Sequence, residues 1–208
     1  MTTINTSGVY MTLSINILSG SYRENSNSRR FALFLKNILL SQGVSVTWVD
    51  AKTYDLPFLK ETYADALKNK SSNLETLEKL HTLFNSCDAF ILLSAEYNHL
   101  PVPGLLNMLN FFYTEYHNKP SGLATYSVGS YGGARIEPAL RTIADTLGMP
   151  SIAPILSCAH VHKLLSPEGQ LQETADITDS VRRAFTKNTD LFIKTLLHHA
   201  NIFRQLRT

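Results

Sequence analysis

The segment TLSINILSGSYRENSNS, Thr12 to Ser28, decides the fold. Its first seven residues form a short apolar run rich in Ile and Leu that stops abruptly at Ser19-Gly20-Ser21, the pattern of a buried strand. Beyond the polar loop, Phe31, Phe34, Leu35, Ile38 and Leu39 recur at the three- and four-residue spacing of one helical face, which ends near Gly43. A strand, a turn and a helix in that order make the unit from which parallel sheets are built.

Outward from this unit the alternation repeats. Val44 to Asp50 is a second strand, and a connection holding Asp55-Leu56-Pro57 leads to a helix with Leu74, Leu77, Leu80, Leu83 and Phe84. Ala89 to Ser94 is the third strand, Pro103 to about Tyr113 the third helix, Leu123 to Val128 the fourth strand, and Ile136 to Leu147 a helix closed by Gly148 and Pro150. Ile152 to Cys158 is the fifth strand, and a last helix from about Ala175 carries Ile177, Val181, Phe185, Phe192, Leu196 and Phe203. The expected fold is α/β: a flavodoxin-like, doubly wound, five-stranded parallel sheet of order 2-1-3-4-5 with helices on both faces. Ligands of such sheets sit beyond the carboxyl ends of the strands, where strand order reverses between strands one and three. Residues 1–11 read as a polar leader, residues 12–206 as one domain, and Lys68 to Asn73 as an exposed connection.

Composition agrees. A chain of 208 residues with 44% hydrophobic and 17% charged residues can bury a core. Nineteen Lys+Arg against seventeen Asp+Glu leave +2, too little to draw the whole protein onto nucleic acid or an acidic membrane. Two cysteines, Cys87 and Cys158, give neither a disulfide framework nor a C-x-x-C site, which fits a reducing cytoplasm. The first ten residues lack the basic start of a signal peptide, and no apolar run approaches the ~18 residues of a spanning helix.

Three loops at the expected strand ends carry the chemistry. In the first, Gly20 to Ser28, hydroxyls and Arg23 run straight into a helix start, where unpaired N–H groups and the dipole favour an anion. Arg29 and Arg30 oppose that dipole by ~0.3–1 kcal/mol each when exposed, a conflict that a bound anion relieves. The plainer reading makes Ser28 a helix cap and the rest a polar turn. The second loop, Ser94 to Pro103, offers the Asn98 amide to a planar heterocycle and Tyr97 as an aromatic surface; its plainer reading is a Pro-rich loop with an Asx-turn. The third, Ser127 to Ala134, has three glycines in five residues, which let backbone approach a flat ligand or simply make a flexible turn. The chain has no G-x-x-x-x-G-K-[ST], and its first loop has neither G-x-G-x-x-G nor a cysteine; nucleotide triphosphatase, dinucleotide-fold and cysteine-phosphatase readings are therefore disfavoured.

These residues resemble the NAD(P)H-dependent FMN reductases, a flavodoxin-like family that includes quinone and azo-compound reductases. The family's G-S-x-R-x-x-S-x-N matches at Gly20, Ser21, Arg23 and Ser26, with Ser28 where asparagine is usual. Its P-[EQ]-Y-N motif and the following x-x-x-P-x-x-L-K-N appear as Ala95-Glu96-Tyr97-Asn98 and Leu105-Leu106-Asn107. Ala95 and Val102 stand for prolines there, and Leu106 for lysine. S-x-G-G-x-G-G matches at Ser127, Gly129, Gly132 and Gly133, with Ser130 at one glycine position, and Asp55-Leu56-Pro57 also looks like a family feature. The resemblance implies FMN held noncovalently. Ser21, Arg23, Ser26 and Ser28 would bind its phosphate, while Glu96, Tyr97, Asn98, Ser130, Tyr131, Gly132 and Gly133 would border the isoalloxazine. It further implies a homodimer or higher homo-oligomer. Phe111, Phe112, Tyr113 and Tyr116 form an aromatic stretch after the third helix that could line such a boundary, although core packing is the better reading for the first two.

The expected reaction is ping-pong: NADPH or NADH delivers hydride to flavin N5 and leaves, and a small acceptor (quinone, azo compound, flavin or metal complex) then takes two electrons. No side-chain nucleophile is required. Backbone donors near Gly132 and Gly133 would stabilise the reduced ring, and Arg135 either assists or is an ordinary surface arginine. The competing functions are a flavodoxin-type electron carrier and a flavin-binding regulatory module. No metal site is expected: His160 and His162 share a face of an extended segment without a third ligand, and Cys87 and Cys158 read as small buried hydrophobes.

Overall fold

A computed structural model describes residues 12–207, so the leader read over residues 1–11 lies outside the described residues. The opening unit is β1 (Ser14–Ser19) and α1 (Ser28–Ser41), followed by β2 (Ser45–Asp50). α1 ends because Gly43, at φ 75°, lets its own N–H reach Leu40 and that of Val44 reach Leu39, a close that returns the chain to the sheet. Three helices precede the next strand: α2 (Ala51–Tyr54), α3 (Tyr63–Asn69) and α4 (Leu74–Ser86). The first two carry too few apolar residues to show a helical period in the sequence, and α3 takes up Lys68 and Asn69 of the expected connection.

β3 (Ala89–Tyr97) turns into the two-residue β4 (Leu100–Pro101), then α5 (Pro103–Leu109). The third helix thus ends before Tyr113. Phe111, Phe112 and Tyr116 are buried in turns beneath the sheet, so the aromatic run is core and leaves only Tyr113 exposed for a subunit boundary. β5 (Ser121–Tyr126), α6 (Glu137–Thr146), β6 (Ser151–Cys158), α7 (Val161–Leu164) and α8 (Asp179–Arg207) complete the chain, α8 starting after the expected Ala175. His160 is a left-handed residue leading into α7, which holds His162, so the two do not share an extended face.

The parallel sheet runs β2-β1-β3-β5-β6, the expected order with β5 and β6 as fourth and fifth strands; β4 adds an antiparallel hairpin to β3. Burial follows position: β5 and the first six residues of β3 are wholly buried, whereas the edge strands β2 and β6 expose part of each face. One core lies under α1, α7 and α8, the other under α3 to α6. Phe192 of α8 reaches the sheet only because position 122 is glycine, where a Cβ would stand 2.5 Å from the ring. Its full burial contributes on the order of 2–3 kcal/mol.

At the amino end of the sheet, polar groups satisfy one another. Asp88, nearly buried, accepts from Ser14 N at 2.8 Å, from Arg207 at 3.0 Å and from Arg204. Lys119 donates to the carbonyls of Phe84, Asn85 and Glu115, closing the end of α4.

Candidate functional site

β1, β3 and β5 are neighbours in the sheet, so the three loops converge at their carboxyl ends. The first loop leaves β1 through Gly20, which touches α5 main chain to main chain. A Cβ on Gly20 would fall 1.9 Å from Leu105 N, and one on Gly104 2.3 Å from the Gly20 carbonyl oxygen. Tyr22 ties the loop to the segment after β2, its hydroxyl donating to Ala51 O at 3.1 Å and Leu56 O at 3.2 Å. Asn107 holds the same segment, donating to Pro57 O and accepting from Leu59 N, which gives Asp55-Leu56-Pro57 its structural role.

The start of α1 is open. Asn27, not Ser28, is the N-cap, it makes no side-chain cap bond, and the first turn has no acidic residue. Ser28 is buried, its hydroxyl 2.9 Å from that of Ser26, which also accepts from Ser28 N at 3.2 Å. Ser21 lies 3.3 Å from the Tyr97 hydroxyl. Arg23 is exposed, and its guanidinium makes no ion pair or hydrogen bond with the described residues. Arg29 is exposed as well, whereas Arg30 donates to Leu165 O at 2.8 Å and so secures α7. Ser21, Arg23 and Ser26 line a cavity of about 220 Å³ with Glu96, Tyr97 and Tyr126. Arg23 and Tyr97 also wall a larger cavity of about 610 Å³ with Tyr22, Leu56 and Phe58.

The second loop is a hairpin. Asn98 and His99 both have positive φ, 52° and 65°, the requirement of a two-residue turn whose twist matches its strands. The departures from proline support this shape. Ala95 continues the β3–β5 pairing opposite Tyr126, and Val102 donates its N–H to Ser94 Oγ at 3.0 Å, a bond proline cannot make.

In the third loop, Gly132 and Gly133 have φ of 61° and 74° and press back on the strand ends. A Cβ would lie 3.0 Å from Ala159 N at the first and 3.0 Å from Tyr126 O at the second, so positive φ and close main-chain approach together favour glycine at both. Ser130 and Tyr131 are exposed. Arg135, in a short 3-10 turn before α6, joins the two loops: its guanidinium meets Glu96 at 3.6 Å, His99 Nε2 at 2.8 Å and the Tyr131 ring at 4.1 Å. Glu96 is largely buried, so this pairing also neutralises a carboxylate with little water around it.

Sequence reasoning missed two residues of this site. Tyr126 closes β5 as one more residue of an apolar run, yet its hydroxyl stands 3.3 Å from Ser26 Oγ inside the smaller cavity. Phe58 gave no signal, being an isolated aromatic in a connection. Both thiols are buried, which pushes the pKa of Cys87 up to about 12 and raises that of Cys158, the residue paired with Tyr126 at the end of β6. No group of three or more potential metal ligands occurs among the described residues.

The family model for NADPH-dependent FMN reductase matches residues 13–163. No curated protein matches the sequence. Among solved structures, the chain is similar to FerB, a flavoenzyme NAD(P)H:(acceptor) oxidoreductase from Paracoccus denitrificans, at 16% identity and a TM-score of 0.71, covering 90% of this chain and 99% of that one. It is similar also to the apo form of the NADH:FMN oxidoreductase EmoB (18% identity, TM-score 0.63, covering 87% and 88%) and to a flavodoxin mutant from Pseudomonas aeruginosa (15%, 0.53, 88% and 99%). These likenesses establish the flavodoxin-like fold. The residues present fit a flavin mononucleotide: an uncapped helix start with no acidic residue in its first turn, beside a cavity lined by hydroxyls, suits its phosphate, and the adjoining loops suit a flat ring. Because the family match spans all three loops, this chain belongs to the NADPH-dependent FMN reductases, with FMN as cofactor and NAD(P)H as co-substrate.

Proposed function

We propose that the chain is an FMN-dependent oxidoreductase that takes hydride from NADPH or NADH and passes two electrons, in ping-pong order, to a small acceptor such as a quinone, azo compound, free flavin or metal complex. The observation that carries this reading is the uncapped start of α1 beside a cavity lined by Ser21, Arg23 and Ser26, with Ser28 buried behind Ser26, where β1 meets its helix. When bound, FMN supplies the redox chemistry, so the protein needs position and charge, not a nucleophile. Ser21 and Arg23 would donate to the phosphate, with Ser26 and Ser28 completing the first-loop cradle. Glu96, Tyr97, Asn98, Ser130, Tyr131, Gly132 and Gly133 would border the ring. Arg135, held by Glu96 and 40% exposed, keeps N–H donors at the mouth for the phosphates of a nicotinamide nucleotide.

No helix among the described residues is long and apolar enough to cross a membrane, and the free thiols Cys87 and Cys158 support a cytoplasmic setting. Exposed Phe58 and Leu59 support a homodimer. The test is anaerobic mixing of FMN-loaded protein with NADPH or NADH. Loss of the flavin's visible band, restored by an added acceptor, is the expected result. Tightly held FMN that neither nucleotide bleaches would overturn the enzyme in favour of an electron carrier or a regulatory module.

A further inference from the structure

The hydroxyls of Tyr126, Ser26 and Ser28 form a chain with a countable set of protons. Ser26 Oγ accepts Ser28 N–H at 3.2 Å, leaving one lone pair and one proton for its two hydroxyl neighbours. It can therefore accept from one neighbour and donate to the other, and the chain runs in one direction or the reverse. Either way one proton is left at an end, on Ser28 or on Tyr126. The Ser26–Ser28 separation, 2.9 Å, is that of a formed O–H···O bond, whereas Tyr126 stands off at 3.3 Å, beyond the usual range of about 2.5–3.0 Å. Tyr126 is thus the loosely held member, and it lines the same cavity of about 220 Å³ as Ser21 and Arg23.

We propose that the Tyr126 hydroxyl is a further ligand of the FMN phosphate, donating its proton to a phosphate oxygen from the strand side of the first-loop cradle. This rests on the FMN reading above. Unlike the exposed Arg23, Tyr126 is only 5% exposed, and its ring is fixed edge-on to Phe31 at 6.4 Å. It offers a donor already in place before the ligand arrives. Burial pushes the pKa of this hydroxyl above the ordinary tyrosine value, so it stays protonated at neutral pH. β5 contributes to the anion site a residue that the first loop lacks.

The test compares FMN with riboflavin, which lacks the phosphate, by fluorescence titration of the full chain and of Tyr126→Phe. The variant keeps the ring and its packing. The expected result is roughly tenfold weaker FMN binding with riboflavin affinity unchanged, together with a shifted 31P resonance of bound FMN. Unchanged FMN affinity and an unchanged resonance overturn the proposal, as does an equal loss for both flavins, which marks a packing role alone. Failure of the unsubstituted chain to bind FMN overturns the redox reading with it, so the two failures are distinguishable.

Discussion

The two ends of the sheet handle polar groups in opposite ways. At the amino end, Asp88 is surrounded by Arg204, Arg207 and Ser14 N, and Lys119 by three carbonyls. At the carboxyl end, the start of α1 lacks a cap, Arg23 has no partner among the described residues, and hydroxyls stand 3.3 Å apart. Buried polar groups that satisfy one another hold a fold together, while donors left facing solvent are available to a ligand. Stability and binding are thereby placed at opposite ends of the same strands.

The largest test of that division is Asp88→Ala. It removes the carboxylate shared by Arg204, Arg207 and the Ser14 N–H and should lower stability by about 3 kcal/mol in urea unfolding, with FMN affinity unchanged in the folded protein. A comparable loss of flavin binding would erase the distinction. Arg23→Ala should do the converse: FMN binding weaker by roughly tenfold in equilibrium titration, and an unfolding midpoint that does not move.

The smallest effect belongs to Glu115. Burial pushes its carboxyl up, but bonds from its own N–H, His81 and Tyr113 N–H outweigh that, leaving it below the ordinary glutamate value. A depressed value means stabilisation that is present above about pH 4.3 and disappears as pH falls through the folded-state value. Glu115→Gln should cost about 1 kcal/mol at neutral pH and flatten the acid limb of a stability–pH curve, leaving flavin binding alone.

The carboxyl end was the more legible of the two because strand, loop and helix are contiguous there. Ser21, Arg23, Ser26 and Ser28 announce themselves within eight residues, and the apolar runs order the sheet around them. What escaped depends on residues far apart in the chain or on features shorter than a helical period. Asp88 meets Arg204 across 116 positions, and Arg135 finds Glu96 only after the β3–β4 hairpin has formed. Tyr126 reads as core because its ring is core; only its hydroxyl belongs to the site. In the aromatic run Phe111 and Phe112 are core, the better reading of the sequence, whereas Tyr116 misleads because sequence does not reveal that α5 stops at Leu109 and turns its ring inward.

The main-chain contact between Gly20 and Gly104 has a practical corollary for anyone re-engineering ligand scope. With 1.9 Å between a would-be Cβ on Gly20 and α5, the first loop behaves as a fixed gauge block, and widening it from within would pry apart two backbones that already touch. Enlargement has to proceed elsewhere on the wall of the larger cavity, as at Phe58, which is 86% exposed and touches neither of those backbones.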